Sequence, residues 1–400
     1  MKLSFHIFAM AALGKGLSGS DRIFIEFAKR LRIKYQVTVY VWEEGYEMCK
    51  RQGLSKDVKV LSINTWGRRG FLICYIARIV KSIWFALTTK IDNNKETVVY
   101  SASEFWMDSL PAFIFKIRFP KIQWVAAWFQ TAPNPLFGFS QGERESTYKI
   151  SAFYYWLVQF PIKPLIRLFA DFVLVNNDLE KKQFPKLEKK GHAIVILGAV
   201  NIKEIKDWLS KKERSSSSNK NSIKIYDCVF QGRFHPQKGV VELIDIWKFV
   251  VEKIPNAKLA MIGDGPLMRE VKDKINKLGL EKNIHLFGYV FDGNNKYEIF
   301  FQSKIVVHPA FYDSGGMAAA EAMAFGLPCI GFNLQSYKYY YPKGMIKVAV
   351  GDLEKFAKEI IDLIKNKNRR DRVGNEAQKM IKMSWSWDKR VNQLLLFLET

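Results

Sequence analysis

Short runs of apolar, β-branched residues recur along the chain, separated by stretches whose apolar positions fall at helical spacing. Residues 3–9, 36–42, 58–63, 97–101, 122–128, 172–176 and 193–197 have strand character. Between the first two, Ile23, Phe24, Phe27, Ala28 and Leu31 follow the i, i+4 rhythm of one buried helix face. A polar stretch rich in Ser, Lys and Asn, residues 210–222, interrupts the series and is expected to be a mobile surface loop. The alternation then restarts, with strand signals at 224–230, 258–262, 283–287, 304–308, 328–332 and 346–350. Helix signals at 240–253 and 266–278 fall between them, and 385–398 is a last helix after the second series is complete. Strands that alternate with helices predict an α/β chain of parallel, doubly wound sheets, here two of them. Such sheets open their ligand crevices at the carboxyl ends of the strands, so two sheets that face each other predict a site in the cleft between them.

Length agrees with this division, because 400 residues exceed one ordinary core. Charge changes the picture more: 62 basic residues against 39 acidic give a formal net charge of +23. That excess points to an anionic partner, whether a phosphate-bearing small molecule, a membrane surface or nucleic acid. Nucleic acid is the weakest of these, since no reading helix or base-stacking motif is present. Four cysteines, Cys49, Cys74, Cys228 and Cys329, share no metal-ligand spacing and suit a reduced, cytoplasmic chain. Residues 1–12 are apolar but short, and removing them would remove a strand, so they are read as sheet and not as a signal peptide. No window reaches the ~20 apolar residues of a membrane span.

Candidate chemistry gathers at strand-to-helix turns. Residues 306–332 read as a buried strand, a loop with Asp313, a helix opening at Gly315 and Gly316, and a second strand. Two glycines at a helix start admit a ligand close to the backbone, and the N–H groups there attract anions. Asp313 and Glu321 then either line a ligand groove or are a helix-terminal acid and an exposed Glu. The turn from Gln231 to Gly239 brings Arg233 and Lys238, a planar fork and a point charge, to the end of another strand, as phosphate handling requires. Gly263-Asp264-Gly265 makes a further glycine turn, and Gly16-Leu17-Ser18-Gly19-Ser20-Asp21-Arg22 gives the first half a loop of its own, within a wider loop from 14 to 20. His308, at the end of a strand beside the site, is read as a packed or hydrogen-bonding residue.

Taken in order, Ser18 to Arg22, Gly232-Arg233 with Lys238-Gly239, Gly263 to Pro266, Asp313 with Glu321 eight residues on, and Ser384-Trp-Ser-Trp-Asp388 resemble the retaining GT-B glycosyltransferases of glycosyltransferase family 4. The resemblance covers nearly the whole chain. It implies GT-B architecture: a Rossmann-like acceptor domain, residues 1–200 with a C-terminal helix, 384–400, crossing back to it, and a donor domain, residues 201–383. It also implies a nucleotide-diphosphate-sugar donor, a glycan or lipid-linked acceptor, and a role in polysaccharide or glycoconjugate biosynthesis. On this resemblance Arg233 and Lys238 hold the diphosphate, Glu321 the ribose, and Asp313 with the amides of Gly315, Gly316 and Met317 the sugar and phosphates. Gly232, Gly263, Asp264 and Gly265 line the donor site, and Gly16, Ser18, Gly19 and Arg22 face it from the first domain. Neither a metal nor a cofactor is implied, and no Asp-x-Asp pair is present. The chain departs from the family in carrying Asp313 in place of Glu, Ser18 in place of Gly, Trp128, Phe129 and Gln130 where many members have a His, and a tyrosine run from 337 to 341. A catalytically silent glycan- or nucleotide-binding protein is the alternative reading.

Residues 70–90, flanked by Arg68 and Arg69, and residues 154–169 combine aromatic and aliphatic side chains with Lys and Arg. They suit either the core of the first domain or an anionic membrane surface at which the protein is peripheral.

Overall fold

The computed structural model describes residues 3–12, 16–62, 70–139, 147–215 and 224–399. Two compact units emerge. The first comprises residues up to Leu136, Ile150–Gly198 and the C-terminal segment from Trp387; the second comprises Phe137–Lys149 and Ala199–Ser386.

In the first unit β1 (Ser4–Phe8), β2 (Gln36–Val41), β3 (Val58–Val60), β4 (Thr97–Ser101), β5 (Gln123–Trp128), β6 (Phe172–Val175) and β7 (Ala193–Val195) form one parallel sheet in the order 3-2-1-4-5-6-7. β1 pairs with both β2 and β4, so the strand order reverses there. Phe8, Tyr40, Trp124 and Val173 are buried in its core. The helix Gly19–Leu31 starts in a capping box: Ser18 Oγ accepts from the Asp21 amide at 3.2 Å, and Asp21 Oδ2 accepts from the Ser18 amide at 2.8 Å. The expected glycine loop is therefore shorter than its sequence suggests. Gly19, Ser20, Asp21 and Arg22 form the first helical turn, Gly16 and Ser18 precede it, and Gly14 and Lys15 lie outside the described residues. The C-terminal helix Trp387–Leu398 belongs to this unit, where Asp388 pairs with Arg30 at 2.7 Å and Gln393 donates to the Val195 carbonyl at 2.9 Å.

In the second unit β8 (Tyr226–Gln231), β9 (Leu259–Ile262), β10 (Ile284–Gly288), β11 (Ser303–His308), β12 (Cys329–Phe332) and β13 (Met345–Val348) form a parallel sheet in the order 10-9-8-11-12-13. The helix Val240–Lys253 buries Val240, Leu243, Ile244, Trp247 and Val250, one stripe at helical spacing, in the core beneath β8 and β9. The order reverses between β8 and β11, where a doubly wound sheet opens its crevice.

Two expectations are corrected. The helix Ile202–Ser215 runs through the first half of the expected surface loop, with Ile205 buried, and residues 216–222 lie outside the described residues. Phe137–Phe139, expected in the first domain, cluster with the second unit, where the Phe139 ring meets His235 and Tyr312 at 5.7 and 5.8 Å.

Behind the carboxyl end of the first sheet lie two buried acids that the sequence reading passed over. Asp108 accepts from the Met10 and Ala11 amides at 2.5 and 2.9 Å and from Ser103 Oγ at 2.5 Å. Glu104 accepts from the Phe129 amide at 3.4 Å, Tyr155 Oη at 3.3 Å and Gln159 Nε2 at 3.4 Å. Burial outweighs these bonds and pushes Glu104 up to about 7 and Asp108 up to about 8. A carboxyl raised in the folded state binds its proton more tightly there than in the unfolded chain. Its stabilising effect is full below the unfolded value and is lost as pH rises through the folded one. Thermal melting is therefore expected to fall as pH rises from about 5 to about 9. A Glu104→Gln/Asp108→Asn double variant should show a flatter slope. An equal slope in both proteins would remove these two acids as its source.

Candidate functional site

The loops after β8 and β11 meet at the point of strand reversal. Lys238 closes a short turn, Pro236–Lys238, and its ammonium pairs with Asp313 on the loop after β11. His308, the last residue of β11, donates from Nε2 to the same carboxylate oxygen at 3.0 Å; the carboxylate can only accept, which fixes the tautomer. The other oxygen accepts from the Gly315 and Gly316 amides at 3.1 and 3.0 Å. Four donors thus converge on one nearly buried acid. Burial alone would raise the Asp313 carboxyl, but the Lys238 ammonium and then His308 hold it well below the usual carboxylate range. Burial lowers His308, partly offset by Asp313, so its imidazole is neutral near pH 7.

Gly316, at φ 60°, turns the chain into the helix Met317–Ala324. A side chain there would be strained and would press on His308 and Tyr337. Because Asp313 uses the Gly315 and Gly316 amides, the donors left for an incoming anion are those of Met317 and Ala318, which helix geometry leaves without an intrahelical acceptor.

The tyrosine run lies behind this loop. Tyr337, Tyr340 and Tyr341 are buried, Tyr341 donates to the Gly316 carbonyl, and Ser336 Oγ donates to the Asp313 carbonyl at 2.8 Å. Trp385 stacks on Tyr341 at 5.4 Å, which ties the Ser384–Asp388 motif to the site. These residues brace the loop in place of presenting rings to a sugar.

Glu321, one helix turn beyond the loop, is only 4% exposed, which excludes the exposed-acid reading. It accepts from Lys296 Nζ at 2.6 Å and from Gln231 Nε2, at the end of β8, at 3.3 Å. Lys296, on the helix Asn294–Phe301, is 0% exposed and pairs also with Asp292. The sequence reading missed it. Its one signal was position: Lys296 shares a helix face with Ile299 and Phe300, both buried, where a solvated lysine has no place.

Arg233 is exposed on the loop after Gly232. That loop is stitched to the next one by the Phe234 amide donating to the Asp264 carbonyl at 2.9 Å and the Leu267 amide to the Phe234 carbonyl at 3.0 Å. Gly263, at φ 146°, passes so close that a Cβ would overlap the Gly232 carbonyl. Asp264 is exposed and accepts from the Gly265 amide at 2.7 Å. The second unit thus gathers Gly232, Arg233, Lys238, Gly263, Asp264, Gly265, Asp313, Gly315, Gly316, Met317 and Glu321 at the carboxyl ends of β8, β9 and β11. Gly16, Ser18, Gly19 and Arg22 sit at the carboxyl end of β1 in the first unit.

Comparison with known proteins bears on both units. Residues 210–380 match the family model described as Glycosyl transferases group 1, so the second unit carries that family's pattern. An uncharacterized glycosyltransferase of Methanocaldococcus jannaschii is 31% identical over 174 residues, 40% of this chain and 39% of that protein. UDP-Gal:alpha-D-GlcNAc-diphosphoundecaprenol alpha-1,3-galactosyltransferase of Escherichia coli is 29% identical over 207 residues, 50% of each chain. The chain thus spans half or less of the length of these curated relatives. Over its full length it superposes on the crystal structure of Anabaena HepE in complex with UDP and glucose, with TM-score 0.72, 16% identity and all of both chains covered. The fold is GT-B.

Proposed function

We propose that this protein is a retaining, metal-independent glycosyltransferase that moves a hexosyl group from a nucleotide-diphosphate-sugar to a glycan or lipid-linked acceptor in cell-surface polysaccharide or glycoconjugate biosynthesis. The observation that carries the reading is the convergence of Lys238, Asp313 and the Met317 helix N-terminus at the strand reversal of the unit that matches the group 1 glycosyl transferases. The relatives' donors, UDP-Gal in the Escherichia coli enzyme's name and UDP with glucose in the Anabaena structure, make a uridine nucleotide the first donor to test.

Cleavage of a sugar–phosphate bond builds negative charge on the departing diphosphate. Arg233, Lys238 and the Met317 and Ala318 amides are fixed donors of the kind that stabilise such charge as it forms. Two cations supply the neutralisation for which other transferases recruit a divalent ion. Neither acid is a good nucleophile: the Asp313 lone pairs are taken up by four donors, and Glu321 is ion-paired to a buried ammonium. A retaining reaction on this framework proceeds on the front face, the leaving phosphate oxygen accepting the acceptor hydroxyl's proton as the hydroxyl oxygen bonds to the sugar carbon. In that reaction Asp313 acts by holding Lys238 and the Gly315–Gly316 loop in place around the sugar and phosphates, and Glu321 orients the ribose.

A thermal-shift panel of UDP-, GDP- and ADP-sugars, each with and without EDTA, tests the reading. One nucleotide class is expected to raise the melting temperature equally in both conditions. The absence of any shift would remove the donor site. A shift abolished by EDTA would remove metal independence.

A further inference from the structure

The helix Phe71–Thr88 in the first unit is apolar on two faces: Ile79 and Ala86 are buried in the core, with Ile83 and Phe85 packed beside them, and a second stripe faces outward. Ile73, Ile76, Val80, Trp84 and Leu87 recur at three- and four-residue intervals, which places them on one face, and every one is exposed, Val80 and Trp84 at 61%. Arg78, by contrast, is only 5% exposed. It points inward over the Trp42 ring and holds the Glu44 carboxylate with one nitrogen at 2.8 and 2.9 Å. A surface helix normally carries one apolar stripe, which it buries, and solvates the opposite face; this one leaves a second apolar stripe exposed. The stripe is not isolated. Arg118, at the end of the helix Trp106–Arg118, donates to the Ala86 and Thr89 carbonyls, so the two helix ends, with exposed Ile117 and exposed Leu87, abut. Phe113 of that helix meets Phe169 of the helix Ile162–Phe169 edge-on at 5.0 Å, and Leu168 and Phe169 are exposed in turn. Exposed apolar side chains on three helices packed side by side point to an interaction site.

The charge around it selects the partner. No Asp or Glu occurs between Asp57 and Asp92, between Asp108 and Glu143, or between Glu145 and Asp171, whereas these stretches hold six, three and three Lys or Arg. They contain all three helices but for the first turn of the second. Two acids that do touch these helices are already paired, Asp171 with Lys116 at 2.8 Å and Glu44 with Arg78 at 2.8 Å. Exposed Lys81, Lys90 and Arg167 therefore lie on or beside these helices in excess over the acids there, with exposed Asp92 two residues beyond Lys90. Exposed aliphatics and a Trp, set among an excess of cations, match an anionic lipid surface, which accepts the apolar side chains below its headgroups and the cations at them. Among the described residues no helix is long and apolar enough to cross a membrane. We infer that the Phe71–Thr88 face docks the protein, in the interface plane, onto an anionic bilayer. The inference is independent of the sugar-transfer reading.

The test is vesicle flotation with the full chain. Phosphatidylcholine vesicles that contain phosphatidylglycerol are expected to carry the protein at low salt, with binding weaker on phosphatidylcholine alone and falling as salt is added. Ile76→Ser/Val80→Ser/Trp84→Ser should weaken binding about tenfold or more, because it removes three inserted side chains. Its melting temperature should stay unchanged, because all three are exposed. Lys81→Glu/Lys90→Glu should weaken binding and flatten its salt dependence. Failure of the native chain to float at low salt would overturn the inference, as would equal flotation of the triple variant. Self-association without flotation, abolished by the triple variant, would assign the face to a second copy of the chain and overturn the lipid assignment.

Discussion

Lys238→Met is expected to lower kcat for sugar transfer by about 10²–10³-fold, equivalent to roughly 3–4 kcal/mol of barrier. On the proposed reading the ammonium, now paired with Asp313, neutralises charge that gathers on the leaving diphosphate, so its loss is felt chiefly in the transition state. The variant should still fold. Asp313 keeps His308 and two backbone amides as donors, and Lys238 is partly solvated, so the ion pair's own share of stability is screened. Steady-state kinetics with a matched melting curve separate the outcomes. A folded variant within a fewfold of native kcat would reduce Lys238 to a brace for Asp313.

Lys296→Met carries the second large effect. Lys296 is wholly buried between Glu321 and Asp292, and Met fills much the same volume without the charge. Glu321, itself almost buried, would be left with Gln231 and no compensating cation among the contacts described above. Breaking a buried pair on one side costs about 3–5 kcal/mol. A folded variant should also bind donor nucleotide more weakly, because the carboxylate assigned to the ribose has lost its anchor. A Lys296→Met/Glu321→Gln double variant should regain much of the stability, because the buried charge goes with its partner, but not the nucleotide affinity. If the single variant melts like the native protein, the pair has no energetic weight.

Much of this site is local information. Arg233 and Lys238 lie within nine residues that end one strand and begin a helix, and Asp313, Gly315 and Gly316 lie within four at the next reversal. Turn chemistry of that kind is written in consecutive residues, so spacing was enough to pick them out. The same locality explains the errors. Ser18 was matched to a glycine of a ligand loop, but a serine three residues before an acid also makes a capping box, and here it does. Residues 210–215 looked like a loop because they are polar, whereas a helix polar on one face needs few buried positions, and Ile205 and its neighbours supply them.

By itself the sequence determined the two parallel sheets, because strand and helix periods alternate along the chain and each period is a local property of side-chain direction. It also determined which turns carry cations and glycines to the strand ends. Tertiary structure alone decided that Asp313 is bound by four donors, that Glu321 rests on Lys296, and that one of the two apolar faces of residues 71–88 looks outward. The reason is common to all three. A periodic pattern specifies that a helix has an apolar face, but what that face or a charge meets depends on distant segments, as with Lys238 and Asp313, 75 residues apart, whose distance in space no local pattern encodes.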